Sequence, residues 1–320
     1  MTTSVEFTEL TGTYRRELLA HCYRMLGSID EAEDVVQETY LRAWRSYDGF
    51  EGRSSARTWL YRIATNACLT AIERRGRRPL PSGLGAPSTD PEVPLVDGPE
   101  VAWLQPYPDV LLGDLPDDPA AVAMSRAGIR LAFVAALQHL SARSRAVLIL
   151  RDVLQWSAAE VAELLGTTPT AVHSALRRAR ADVARSTPVV DDVAEPGEAE
   201  RRGLVERFAE AIERADASAV AELLRADATL EMPPLLTWFA GRDPVARFLG
   251  ATLLLEPGGL RTVRTRANDQ DALGVYSRGP DGVHRAHAVI VLTVSPAGIT
   301  RMVAFQDPGL FPAFGLPSEE

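Results

Sequence analysis

Residues 156–183 read WSAAEVAELLGTTPTAVHSALRRARADV. Ser157 and Glu160 stand at the spacing of a capping box, in which each side chain satisfies a backbone N–H of the first turn. Val161, Leu164 and Leu165 recur at helical spacing, and Gly166 supplies the left-handed residue that often ends a helix. Thr168 caps the next helix and Pro169 suits its first position. Val172, Leu176, Ala179 and Val183 form the inner stripe of that second helix, which leaves Thr170, His173, Ser174, Arg177, Arg178 and Arg180 outside. Two helices, a short turn and an arginine-rich outer face predict a helix-turn-helix. Arginines on such a face neutralise phosphates, and one or two suit guanine edges. A purely structural helix pair is the competing reading.

Helical character extends outward over residues 119–186, and again over 10–75. Ser28 and Glu31 repeat the capping-box spacing ahead of EAEDVVQETYLRAW. Val35, Val36, Thr39, Tyr40 and Ala43 make its apolar stripe, with Asp34, Gln37, Glu38 and Arg42 on the opposite face. That face is a solvated surface or a protein-docking one. A third run, SARTWLYRIATNACLTAIERR, turns Leu60, Ile63, Ala64, Ala67 and Ala71 inward and stops before Pro79. Tyr47, Phe50, Trp59 and Tyr61 lie near its arginines, as suits unstacked single-stranded bases, although Trp59 and Leu60 equally suit a core.

The chain has 320 residues, enough for two or three domains. It contains no lysine, and its net charge of −9 conceals segregation. Arg53–Arg78 holds seven arginines against one acid, whereas Pro79–Asp118 holds eight acids and no base. The local patches, not the overall charge, bear on nucleic-acid binding. Residues 79–118 read as an acidic, proline-rich linker, in which Trp103, Leu104, Val110, Leu111 and Leu112 suggest docking on something. Residues 187–199 form a second acidic linker. Beyond it, helices near 200–214 and 217–225 precede strand-like runs near 227–232, 260–267, 271–278, 284–294 and 299–305. That order predicts an α+β domain with helices packed on a curved sheet.

Other classes find little support. No apolar run reaches the length of a membrane span, and MTTSVEFTEL has no signal-peptide core. Cys22 and Cys68 lack metal-ligand spacing and read as reduced, buried thiols of a cytoplasmic protein. No glycine-rich phosphate loop is present, so no cofactor or metal is expected. Trp238, Arg242, His284, His287 and Asp307 are candidates to line a pocket, but they form no nucleophile–base–orienter set.

DEAEDVVQETYLRAW, TWLYRIATNACLTAIERR and the helix-turn-helix ending RRARADV, in that order, resemble an extracytoplasmic-function (ECF) sigma factor of RNA polymerase. The last 120 residues, with ATLEMPPLLTWFAGRDPVARFL and FQDPGLFPAFGLP, resemble a SnoaL-like domain, and WLQPYPD resembles the linker signature of the subgroup that carries one. The resemblance implies two all-α sigma domains, at 1–78 and 119–186, followed by an α+β cone-shaped domain at 200–320. It implies that Asp34, Gln37, Glu38 and Arg42 dock on the core polymerase, through its β and β′ subunits. Tyr47, Phe50, Trp59, Arg62, Asn66, Arg74 and Arg75 would open and read the −10 element. Thr170, His173, Ser174, Arg177, Arg178 and Arg180 would read the −35 element. The linker would thread the polymerase's basic channel, its acids mimicking nucleic acid, while Trp103 and Tyr107 anchor it to the polymerase or to the C-terminal domain. That domain would regulate in cis, with an unknown small-molecule ligand or an anti-sigma factor as further partners. Many members carry Lys and Arg where this chain has His173 and Ala175, and commonly an Asp where it has Thr70; the related subgroup's DGGGK-like C-terminal motif is also absent from this chain. The alternatives are a SnoaL-type small-molecule enzyme or sensor fused to a DNA-binding module, and a simple repressor that binds duplex DNA without polymerase.

Overall fold

The structure is a computed structural model that describes residues 2–47, 55–112, 128–186 and 196–320. The chain divides into two compact units: residues 1–78 with 111–188, and residues 79–110 with 189–320.

The first unit is helical. Helices α1 (Thr2–Leu26), α2 (Ile29–Ser46) and α3 (Ala56–Arg75) pack on one another around Leu18, Cys22, Met25, Val36, Ala43, Leu60 and Ala64. Both cysteines are buried free thiols. Ser28 and Ser55 cap α2 and α3 by accepting hydrogen bonds from the amides of Glu31 and Thr58. The capping box expected at Ser28 is only half realised, because the Glu31 carboxylate turns to Arg75 and Arg78. Burial works against that carboxylate, but hydrogen bonds from the two arginines outweigh it and hold Glu31 below the usual range.

The chain then forms α4 (Leu131–Leu137), α5 (Ala142–Leu148), a π turn (Ile149–Val153), α6 (Ala158–Leu165) and α7 (Pro169–Ser186). Here the capping box of Ser157 and Glu160 is complete. Gly166 adopts φ 59°, ψ 47°, and Thr168 accepts from the Ala171 amide. Val161, Leu164, Leu165, Val172, Leu176 and Ala179 are buried as the pattern predicts. Two arginines fasten these helices to α1. Arg24 donates to the Gly128 carbonyl at 2.9 Å. The buried Arg145 donates to the carbonyl of Met25, near the end of α1, and to Gln138 at 2.9 Å.

The second unit carries α8 (Glu198–Glu213), α9 (Ala217–Leu223), β1 (Leu224–Glu231), β2 (Trp238–Ala240), α10 (Arg242–Thr252), β3 (Leu260–Ala267), β4 (Gln270–Arg278), β5 (His284–Ser295), β6 (Gly298–Phe305) and a 3-10 helix (Pro308–Phe314). One sheet runs β2-β1-β6-β5-β4-β3, antiparallel except for the β1–β6 pair. Phe208, Val220, Val245, Phe248, Leu273, Val275, Leu292 and Met302 belong to one core shared by the helices and the sheet. Tyr276 meets Phe311 of the 3-10 helix edge-on at 5.2 Å. The sequence pattern locates α8, α9 and five strands but passes over β2, α10 and the 3-10 helix.

Candidate nucleic-acid interface and linker site

On α2, Asp34, Gln37 and Arg42 are exposed, and Arg42 pairs with the half-buried Glu38 at 2.7 Å. The same helix exposes Leu41 and Trp44, which the amphipathic pattern does not single out. Trp44 packs edge-on against Phe7 at 5.1 Å, so part of its ring is fixed while the rest faces solvent.

Around α3, the rings of Tyr47 and Trp59 lie 6.4 Å apart and both are half-buried. Leu60 is core. Asn66 and Arg74 are exposed, and Arg75 is tied to Glu31. Phe50 lies outside the described residues. Arg62 pairs at 2.5 Å with Glu163 of α6 in the helix-turn-helix. Beside Arg62 in the chain, the buried Tyr61 ring lies 5.8 Å from Trp156, the residue before the α6 cap. The side chain expected to read the −10 element is therefore joined to the half of the unit expected to read the −35 element.

On α7, Thr170, His173, Ser174, Arg177, Arg178 and Arg180 are all exposed. Arg180 grips Asp152 through two hydrogen bonds of 2.8 and 2.7 Å, whereas Arg177 and Arg178 make no ion pair among the described residues. Two cations are thus available to phosphates at no cost in intramolecular pairs.

The acidic linker is not a loose tether here. Residues 79–110 belong to the second unit and run from one edge of its sheet to the other. At the start, the Ser82 amide donates at 2.9 Å to Glu231, a buried carboxylate also held by Arg301 at 2.6 Å. Ser88 bridges to Phe239 on β2, and Trp238 donates to the Gly85 carbonyl at 3.0 Å. Further on, the Gly98 amide donates to Pro234 at 3.0 Å and the Leu236 amide to Val96 at 2.7 Å. A Cβ at Gly98 would sit 2.8 Å from the Trp103 ring and 3.1 Å from Leu236, so a larger residue would have to displace the Trp103 side chain. Trp103 folds over this point and donates to the Gly98 carbonyl at 3.1 Å. The backbone amide of the fully buried Tyr107 donates to the Asn268 side-chain Oδ1, and its carbonyl accepts from the Asn268 amide, each at 2.8 Å. Asp109 closes the run on Arg266 at 3.1 Å and on the Asp269 amide at 2.8 Å. Val110, expected among the docking residues, is exposed because the run of contacts ends at Asp109.

This seam touches both edge strands of the sheet, through a bridge to Phe239 of β2 and another to Ala267 at the end of β3. Glu231, Asn268, Asp109 and Arg266 carry it; sequence reasoning gave none of them an individual role, although Asp109 closes the WLQPYPD stretch and Glu231 lies in ATLEMPPLLTWFAGRDPVARFL. A faint signal existed in Asn268–Asp269, a two-residue turn between strands whose residues both take φ near +55°. Its partner Tyr107 is one of the two expected linker anchors, but nothing in the sequence ties it to that turn.

The second unit also holds a cavity of about 50 Å³, walled by Phe208, Ile212, Leu249, Val275 and Met302, with His287 and Gln306 also lining it. Of the candidate pocket residues only His287 lines it; burial lowers its pKa. Trp238 faces the linker, Arg242 donates to the Leu224 carbonyl, and Asp307 caps the 3-10 helix. His284 donates through Nε2 to the Gly258 carbonyl at 2.9 Å and plays a structural part. Each is occupied by a backbone bond that side-chain type alone does not reveal. Among the described residues no cluster of His, Cys, Asp and Glu could hold a metal ion, and no helix is long and apolar enough to cross a membrane.

Comparison with known proteins gives two matched families: Sigma-70 region 2 over residues 10–78 and Sigma-70, region 4 over residues 130–183. The ECF RNA polymerase sigma factor SigG of Mycobacterium tuberculosis is 50% identical over 314 residues, which is 98% of this chain and 84% of that protein. The ECF RNA polymerase sigma factor SigJ of the same species is 27% identical over 308 residues, 93% of this chain and 90% of that protein. The crystal structure of SigJ superposes with a TM-score of 0.62 at 23% identity, covering 98% of this chain and all of that one. It supports the fold over the full length, C-terminal unit included.

Proposed function

The chain belongs to the ECF RNA polymerase sigma factors, and on that premise we propose that it directs promoter-specific initiation while its C-terminal unit holds the interdomain linker in cis. Asp34, Gln37, Glu38 and Arg42, with the neighbouring Leu41 and Trp44, dock on core polymerase. Tyr47, Trp59, Arg62, Asn66, Arg74 and Arg75, with Phe50 of the intervening loop, open and read the −10 element. The α7 face reads the −35 element, with Arg177 and Arg178 the cations nearest to hand.

The observation that carries the cis reading is the bonding of the linker to both edges of the C-terminal sheet. Elements centred about 25 base pairs apart lie ~85 Å apart at ~3.4 Å per pair. The first unit, with Arg62 on Glu163 and Tyr61 on Trp156, is closed relative to that span. Opening it draws on the linker. The whole stretch from Arg78 to Arg130 reaches ~170 Å when extended, whereas with residues 79–109 pinned across the sheet it reaches only ~70 Å plus the ~24 Å width of six strands, which barely covers that separation. The polymerase channel and the C-terminal sheet then compete for one acidic segment, and a site tethered on the same chain competes at about millimolar effective concentration.

In vitro transcription with bacterial core polymerase tests this, comparing the full chain with one ending near Arg185 on the chain's own upstream region. Stronger transcription from the shorter chain is expected. Transcription from the full chain alone would make the C-terminal unit an obligatory activator, and silence from both with no binding to core polymerase would sink the sigma-factor reading. A SnoaL-type catalytic role is not favoured, since the cavity offers His287 without a carboxylate partner.

A further inference from the structure

We propose that the cavity of the C-terminal unit binds a slender, uncharged, mostly apolar molecule carrying one hydroxyl or carbonyl group, and that its occupancy strengthens the hold on the linker. The second half of this proposal rests on the cis reading above.

The cavity of about 50 Å³ exceeds the ~10–15 Å³ that one water needs, yet a water needs two to four polar partners. Its lining side chains supply hydrogen-bonding groups only through His287 and Gln306. Neither side chain has a hydrogen-bond partner among the described residues. An apolar chamber with two convergent polar groups is the construction by which proteins orient small ligands. No arginine or carboxylate lines it, and burial lowers the pKa of His287 and so favours its uncharged form. A neutral imidazole and an amide each offer a donor and an acceptor, which suits a hydroxyl or carbonyl. A charged ligand would lose its hydration with nothing to replace it. Met232 and Met302 are the adaptable parts of the wall, able to rearrange around a chain longer than the empty volume.

The same wall reaches the linker. Met232 precedes Pro233, whose carbonyl accepts the Gln306 amide at 2.9 Å. The next residue, Pro234, accepts the Gly98 amide, and Leu236 donates to Val96. Two cavity-lining residues therefore flank the short segment that grips the linker. A molecule packed on Met232 and Gln306 favours the state in which that segment is ordered, and reciprocity then makes the docked linker favour the molecule.

The test uses the full chain and the straight-chain alcohols from 1-butanol to 1-decanol as probes, with binding read by calorimetry and amide exchange followed at Gly98 and Leu236. Affinity should rise about fourfold per methylene until the chamber is full and then stop rising. Exchange at both amides should slow several-fold at saturation. Met302→Trp, which fills the chamber, should abolish binding. His287→Leu, a milder change, should cost about tenfold in alcohol affinity and leave the protein folded. Absence of saturable binding at every chain length, or binding indifferent to both substitutions, overturns the site. Saturable binding with unchanged exchange overturns the coupling. Fast exchange at Gly98 and Leu236 before any alcohol is added would instead sink the cis reading itself.

Discussion

The contact between α3 and the helix-turn-helix is made by side-chain ends: Arg62 on Glu163, both substantially exposed, and Tyr61 against Trp156. The contact between the linker and the C-terminal sheet is made largely by backbone, at Ser82, Ser88, Val96, Gly98 and Tyr107, and it encloses buried groups such as Glu231 and Tyr107. Exposed ion pairs contribute little and yield readily to a competing phosphate or carboxylate. Backbone pairs around buried groups must be exchanged for other partners, or left unmet at considerable cost. On the reading proposed above, promoter DNA opens the first junction at its exposed Arg62–Glu163 pair, and the buried Arg145 bond and the Tyr61–Trp156 contact must open with it. The second junction then holds until something of equal extent takes the linker.

Four changes would break or sharpen this contrast. Glu231→Ala should have the largest effect, since it strands the nearly buried Arg301 guanidinium and the Ser82 amide. A loss of about 3–5 kcal/mol in the second unit is expected, measured by urea unfolding, with the first unit's transition unmoved. Next comes acid. Burial, followed by the charges of Arg24 and Arg57, pushes the pKa of His21 from 6.5 down to about 3. The unfolded chain then binds the extra proton, so stability is full above pH 6.5 and falls as the pH drops below it. The slope approaches about 1.4 kcal/mol per pH unit. The first unit should therefore lose about 2 kcal/mol by pH 5, and His21→Gln should flatten that slope in pH-dependent unfolding.

Asn268→Gly should cost about 1–3 kcal/mol by removing the acceptor for the buried Tyr107 amide, while a glycine still accepts the positive φ. Proteolysis at Glu92 and Glu100 should accelerate with it. The smallest effect belongs to the exposed pair: a double-mutant cycle of Arg62→Ala and Glu163→Ala should give a coupling of about 0.2–1 kcal/mol. A coupling above 2 kcal/mol would erase the contrast between the two junctions.

The sequence conveyed these regions unequally. In the helix-turn-helix, cap, glycine and stripe all act within a few residues, so Ser157, Gly166, Thr168 and Val172 could be assigned in place. Strands β3 to β6 show through their β-branched residues. The short β2 carries too few residues for any period, and α10 opens on Gly241 without a side-chain cap. The linker junction leaves almost no trace, because backbone hydrogen bonds depend on no side-chain type. Trp103 and Tyr107 stood out by their size, but Glu231 and Asn268, more than 120 residues away, read as ordinary strand and turn residues. Trp238, Arg242 and Asp307 resembled pocket residues by type alone, and each is taken up by a backbone partner.

The most direct test of the competition for the linker is amide exchange at its docking partners, Leu236, Asn268 and Asp269, in the full chain. It should be measured first with the free protein, then with the protein bound to core polymerase and promoter DNA. The account predicts slow exchange at all three amides in the free chain, and rapid exchange once the linker has left for the polymerase. Equal protection in both states, with transcription proceeding, would contradict it.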